Sequence, residues 1–432
     1  MEETAEKTAM IHKKKQKNIR LYPIYKMLSW DLLFYYSIVF LFMTQTKNIS
    51  AADFLLAESF YPLFKSLLLV NATILIEKIG KRKSLILANF FLFLSTLTYI
   101  LSINFIGIII GEFFSAVGFV IKGICESNML YDSLDRNKKR GWLFSRIEGQ
   151  ASSWYYYIDA VASILSGFLF AINGYIPMVL CLCINLVSVV LAYKFEEVED
   201  TDSKKEKIKF TKELKNIKNS VKNIFSSNRL RPLIIFGALF SGIISVLTTL
   251  RSSILTDIGV PAQYFGIIIA VMQIVSGISA KNQARMHNKF RNKTLATLSL
   301  PVVVSCIFLG FWCNLGLNYT LTLIVVLIVF FIHYVSKGPF YTLIKRYMNN
   351  FTNISLRNRI SSCFNMLDGL LRAGISFFAS FLLRYTTTAN TFIIAGCVFT
   401  IIIVLLLDRM KTRVGLKPEE YKEKDIKIME LK

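Results

Sequence analysis

The chain has 432 residues, of which 54% are hydrophobic, 13% aromatic and only 18% charged. Soluble domains carry about 25% charged residues, so these proportions exclude an ordinary soluble protein. A net charge of +23 would suggest a polyanion partner on a soluble surface, but Lys and Arg set between apolar spans report membrane orientation instead. With His 3 in the whole chain, a His-based metal centre is not expected, and no cofactor is called for.

The first 20 residues are polar and end in the basic run Lys13, Lys14, Lys15 and Lys17. They carry no cleavable signal pattern, because the apolar segment that follows is long enough to serve as an uncleaved anchor. A spanning helix needs about 20 mainly apolar residues. Twelve stretches meet that need: 21–43, 53–76, 84–103, 106–130, 149–170 and 176–195, then 231–252, 262–282, 294–314, 320–341, 358–384 and 390–408.

Basic residues test the count, since they concentrate on the cytoplasmic side. With the N-terminus inside, the cytoplasmic segments hold 39 Lys and Arg, and the opposite loops hold one, Lys47. Missing a span would invert the alternation, so an even count with both termini cytoplasmic is expected. The charged stretch 196–230 has Ile208, Leu214, Ile217, Val221 and Ile224 at helical spacing and reads as a linker helix on the membrane surface. The predicted organisation is a tail (1–20), a six-helix bundle (21–195), the linker (196–230), a second bundle (231–408) and a tail (409–432). The seven cysteines fall almost entirely within apolar runs and read as packing residues rather than a disulfide framework.

The turn after the second span reads Thr73-Ile-Leu-Ile-Glu77-Lys78-Ile79-Gly80-Lys81-Arg82-Lys83. Together with six plus six helices and a basic central loop, it resembles the G-x-x-x-D-R-x-G-R-R-K loop of the major facilitator superfamily. Leu130-Tyr131-Asp132-Ser133-Leu134 and the stretch 347–359 also resemble recurrent segments of bacterial members. The resemblance implies an all-α integral membrane fold of twelve helices in two bundles, working as a secondary transporter of the bacterial plasma membrane. It also implies a conformational latch at Glu77, Gly80, Lys81 and Arg82, with the acid reaching a neighbouring helix end or basic side chain. Three departures stand out. Thr73 takes the place of a packing glycine, Glu112 stands where proton-coupled members often have Arg, and span five lacks the proline-rich motif of drug antiporters.

Charges within spans are the sharpest signal, since each costs about 2.5 to 3.5 kcal/mol at a helix centre and normally faces a cavity or a partner. Lys122 and Glu126, and Asp368 and Arg372, are four residues apart, so each pair shares a helix face and is either a static internal ion pair or a candidate for substrate or proton contact. Asp31, Lys65 and Asp159 have no local partner and are candidates for substrate or proton contact, as is Glu112. Lys337 lies in Ser336-Lys337-Gly338-Pro339, where the helix is expected to break and the ammonium to snorkel to the interface. His333, one turn away, reads as a hydrogen-bonded packing residue. Tyr35, Tyr36, Trp154 and Tyr157 are the aromatic cavity candidates.

Mixed charge along the path points to a charged or zwitterionic small organic solute or short peptide, moved by alternating access, with proton coupling and facilitated diffusion both open. The alternative is a lipid or lysolipid transporter of the same fold. There is no G-x-S-x-G, H-E-x-x-H or P-loop, so an enzyme is not expected. The expected surroundings are a small-molecule substrate and a bilayer with an anionic inner leaflet, with no nucleic acid and the protein as a monomer.

Overall fold

The computed structural model describes residues 2–135, 140–198, 219, 222, 224–351 and 354–416. The linker helix expected over 196–230 falls largely outside them, as does most of the tail 409–432. In chain order the helices are α1 Glu2–Ser29, α2 Val39–Leu41, α3 Ala51–Ile79, α4 Lys81–Leu101, α5 Phe105–Ser133, α6 Arg140–Ile172 and α7 Tyr175–Lys194. There follow α8 Leu230–Asp257, α9 Ala262–Lys281, α10 Gln283–Phe290, α11 Thr294–Asn314, α12 Tyr319–Asn350, α13 Ile354–Tyr385 and α14 Thr388–Met410.

Among the described residues, eleven helices are long and apolar enough to cross a membrane. The twelfth expected span, 21–43, is not one helix. α1 stops at Ser29, Phe34 sits at φ +65, and the chain resumes as α2 and a five-residue π-helical turn, Phe42–Thr46. The cause is local: the Asp31 carboxylate accepts the following Leu32 N–H at 3.0 Å, a short-range bond of the kind that competes with helix hydrogen bonding. With this discontinuous segment the expected twelve are accounted for.

The chain forms two compact units. Unit 1 comprises 1–48, 67–213 and 262–267; unit 2 comprises 49–66, 214–261 and 268–432. Neither α3 nor α9 belongs wholly to one unit, so the compact bodies do not follow the sequence halves.

In unit 1, α4 packs chiefly on α5 and α7, and α1 on α6 and α7. Their shared core gathers Tyr22, Tyr25, Leu85, Ala88, Val120, Cys125 and Phe195. Tyr25 meets the Phe195 ring edge-on at 5.2 Å, and its hydroxyl accepts a hydrogen bond from Asn89 at 2.8 Å. A Cβ at Gly118 would lie 2.9 Å from the Ala88 carbonyl oxygen, so α4 and α5 can approach this closely only with glycine there. Thr73, in the family's glycine position, turns its hydroxyl back to the Leu69 carbonyl at 3.1 Å.

In unit 2, α11 lies along α14, α13 along α8, and the first half of α3 joins them. Gly369 of α13 sits against the Pro62 carbonyl, and Ser66 Oγ donates to the Met366 carbonyl at 3.2 Å. The break expected at Gly338-Pro339 does not occur, and α12 continues through Pro339. Proline removes the N–H that would bond the carbonyl four residues back. Here that carbonyl, Val335, accepts the Ser279 hydroxyl of α9 at 2.5 Å, which removes the main cost of leaving it open inside a membrane.

Candidate functional site

In unit 1 the polar residues collect around the break that follows α1. The Lys122 ammonium of α5, buried to 2% exposure, donates to the Trp30 carbonyl at 3.1 Å. That carbonyl is one of those a helix end leaves without an internal partner. Glu126, one turn further along α5, is also buried, and its Oε1 has no hydrogen-bond partner. Asp31 acts electrostatically on both Lys122 and Asp159 of α6, so three of the expected residues come together from the break after α1, from α5 and from α6.

Sequence reasoning missed two further members. Lys26 is buried and forms an ion pair with Glu148, which also accepts the Tyr22 hydroxyl at 2.5 Å. The Lys26 ammonium lies 4.6 Å from the Trp30 ring centroid. Lys26 falls inside the expected first span and Glu148 just before the fifth, so the same search for charges within spans could have found them.

Of the aromatic residues of α6, Tyr155 is buried and meets Trp30 at 5.0 Å, and the exposed Tyr156 meets the same ring at 5.2 Å. Trp154 and Tyr157, the candidates taken from sequence, are exposed. Tyr35 is buried and stacks on Tyr99 at 5.6 Å, while Tyr36 is exposed. Glu112 is buried and hydrogen-bonds to Tyr99.

Unit 2 carries a second polar set. Asp368 and Arg372 form the pair their spacing predicts, at 3.0 Å, and Arg372 also donates to Ser241 at 2.8 Å. Ser241 in turn lies 3.2 Å from the Tyr341 hydroxyl. The Thr249 hydroxyl donates to Glu58 at 2.5 Å. Lys65 is exposed, 5.6 Å from the Tyr61 ring centroid.

Arg251, also missed from sequence, is buried to 3% exposure and donates to the Tyr334 hydroxyl. Lys337 approaches the same ring at 5.0 Å and is half-buried, a position set by the unbroken helix. His333 is buried and hydrogen-bonded to Ser305 at 3.1 Å. A groove of about 770 Å³ lies elsewhere in unit 2, beside the Asp53–Arg384 ion pair.

The α3–α4 turn is held by different acids from the one expected, Glu77. Gly80 has φ +87, a conformation that costs little only for glycine. The Lys81 and Arg82 N–H groups donate to the two Glu197 oxygens at 3.0 and 2.8 Å, a carboxylate cap on the positive end of α4. The Lys81 ammonium pairs with Asp132, and Arg82 donates to the Tyr193 carbonyl at 2.8 Å. Glu77 itself is exposed; Glu197 and Asp132 hold the contacts expected of it.

The middle of α1 reaches the same region. Lys17 donates to Glu196 at 2.5 Å, Asn18 donates to Ser133 at 3.0 Å, and Lys15 pairs with Asp135 at 3.0 Å. The hydrogen bond from Lys17 holds the Glu196 carboxyl below its ordinary range.

Discontinuous helices, buried ion pairs and eleven apolar spans define a polytopic membrane transporter. The Major Facilitator Superfamily model matches residues 26–374, and the chain belongs to that family. No curated protein matches it in sequence. Among solved structures it is similar to the nucleoside transporter NupG, with TM-score 0.70 and 10% identity over 95% of this chain and 100% of that one. It is also similar to a POT family transporter in complex with 5-aminolevulinic acid, with TM-score 0.62 and 13% identity over 93% and 96% of the two chains. A D-xylose-proton symporter gives TM-score 0.65 and 12% identity over 95% and 99%. The chain is thus a solute transporter rather than an enzyme.

Proposed function

We propose that this transporter moves a charged or zwitterionic small organic solute or short peptide by alternating access, with protonation of Asp31, Glu126 or Asp159 coupling the movement to a proton gradient. The observation that supports the reading is the break at Asp31. Irregular backbone at membrane depth is tolerated where it is buried in protein or lines a cavity, and here it is accompanied by a buried ammonium and a second carboxylate. Such a place can hold an amine near Asp31 and Asp159 while exchanging a proton with either acid. The excess of Lys and Arg in one set of loops favours cytoplasmic termini in a bacterial plasma membrane.

The test is uptake into proteoliposomes of dialanine and of amino acids, with and without an inward proton gradient, against labelled lysolipid. Asp31→Asn and Asp159→Asn should each cut the gradient-driven rate at least tenfold while the purified protein remains folded. Transport of lysolipid alone would overturn the solute assignment, and parental rates in both variants would remove the acids from the mechanism.

A further inference from the structure

The buried guanidinium of Arg251 has a phenol for company and no carboxylate. It donates to the Tyr334 hydroxyl, its Nε has no hydrogen-bond partner, and no acid forms an ion pair with it among the described residues. Removing one partner from a buried ion pair is strongly destabilising because a charge is left uncompensated. A transporter keeps such a residue at a cost to stability.

The surroundings of Arg251 show what would compensate it. A cavity of about 20 Å³ is lined by Arg251, Lys337, Tyr334, His333 and Thr248, with apolar Ile244, Leu247 and Phe330 closing the wall. Its lining contains two cations and no Asp or Glu. The neutral polar groups are already engaged: Thr248 donates to the Ile244 carbonyl at 2.9 Å, and His333 is bonded to Ser305. What remains for a ligand is the free Nε–H of Arg251 and the Lys337 ammonium.

A cavity of this size admits the end of a ligand and not a whole solute. Guanidinium geometry favours a planar carboxylate. Lys337, half-buried, marks the side from which the rest of the molecule would extend.

We propose that this cavity in unit 2 binds a carboxylate of the transported solute, with Arg251 as the buried anchor and Lys337 as the entry cation. The assignment rests on the solute-transport reading and narrows it to molecules that carry a carboxylate. The Tyr334 hydroxyl is the partner that holds the Arg251 guanidinium in the cavity wall.

The test compares purified parent, Arg251→Gln, Arg251→Lys and Lys337→Gln in detergent. Thermal unfolding is followed in sodium acetate and in sodium chloride at equal ionic strength. Acetate should raise the parent midpoint above that in chloride, because a ligand of the folded state stabilises it. Arg251→Gln should abolish the difference, Lys337→Gln should reduce it, and Arg251→Lys should keep part of it. Without acetate, Arg251→Gln should unfold at or above the parent temperature.

An equal response to chloride and acetate, or an acetate response that survives in Arg251→Gln, overturns the carboxylate site. In proteoliposomes, dialanine should compete with a transported solute at least tenfold better than dialanine amide in the parent, and equally with it in Arg251→Gln. If no solute is transported yet the acetate response depends on Arg251, the site stands and the transport reading fails. If transport continues and Arg251→Gln keeps the preference for the carboxylate, the site fails and the transport reading stands.

Discussion

Lys122→Met is the substitution that bears most directly on the broken first segment. The ammonium is buried and holds the Trp30 carbonyl at 3.1 Å. Hydrogen bonds to charged groups contribute about 1.5 to 3 kcal/mol, and a buried carbonyl left open costs about 1 to 3 kcal/mol. Working against this loss, methionine no longer has to desolvate an ammonium, and its thioether fills similar space. Glu126, already short of one hydrogen bond, also loses a neighbouring cation. The balance is a destabilisation of about 2 kcal/mol. Equilibrium unfolding in mixed micelles should report it, and the double variant Lys122→Met/Glu126→Gln should recover part of the loss by neutralising the stranded acid. A Lys122→Met protein within about 0.5 kcal/mol of the parent would refute the idea that this lysine secures the break.

The remaining predictions concern the latch and the proline bond. Gly80→Ala places a Cβ 3.2 Å from Glu197 Oε1 on backbone at φ +87, which should cost about 1 to 3 kcal/mol in the same unfolding assay. Ser279→Ala exposes the Val335 carbonyl that Pro339 leaves open and should cost about 1 kcal/mol; in a Pro339→Ala background, where a backbone N–H returns, the serine should matter little. Because the folded Glu196 carboxyl is held below its ordinary value, its contact with Lys17 contributes stability above about pH 4.3 and loses it as pH falls through the lower folded value. Spin labels at Gln16→Cys and Val198→Cys on a cysteine-free background should therefore show a distance distribution that broadens once pH falls below the folded value, and Glu196→Gln should show that breadth at about pH 7 as well.

The membrane architecture was legible because length and hydropathy suffice to identify spans, and the α3–α4 turn was legible because glycine and the basic pair fix its chemistry. The Asp368–Arg372 pair could be read from i,i+4 spacing. Spacing did not reveal that Lys122 would donate to the Trp30 carbonyl just past α1, since that contact depends on the break in the opening segment. The Glu197 cap was hidden for a related reason: it lies 116 residues from the Lys81 N–H it receives. Pro339 misled in the opposite direction. The helix survives because Ser279, on another helix, satisfies the open carbonyl. Arg251, Lys26 and Glu148 were visible as charges in or beside apolar stretches, but their partners are non-local.

The buried pair of Lys26 and Glu148 bears on how the protein is made. Lys26 lies in the broken opening segment of unit 1, and Glu148 follows 122 residues later. For the whole of that interval the nascent chain holds an uncompensated ammonium and a segment that does not form one continuous helix. Stable seating of this segment must wait until α5 and α6 arrive with Lys122 and Glu148. The opening segment of unit 1 therefore depends on α5, α6 and α7 packing back on it, so a truncation after α4 should leave it accessible to water-soluble reagents.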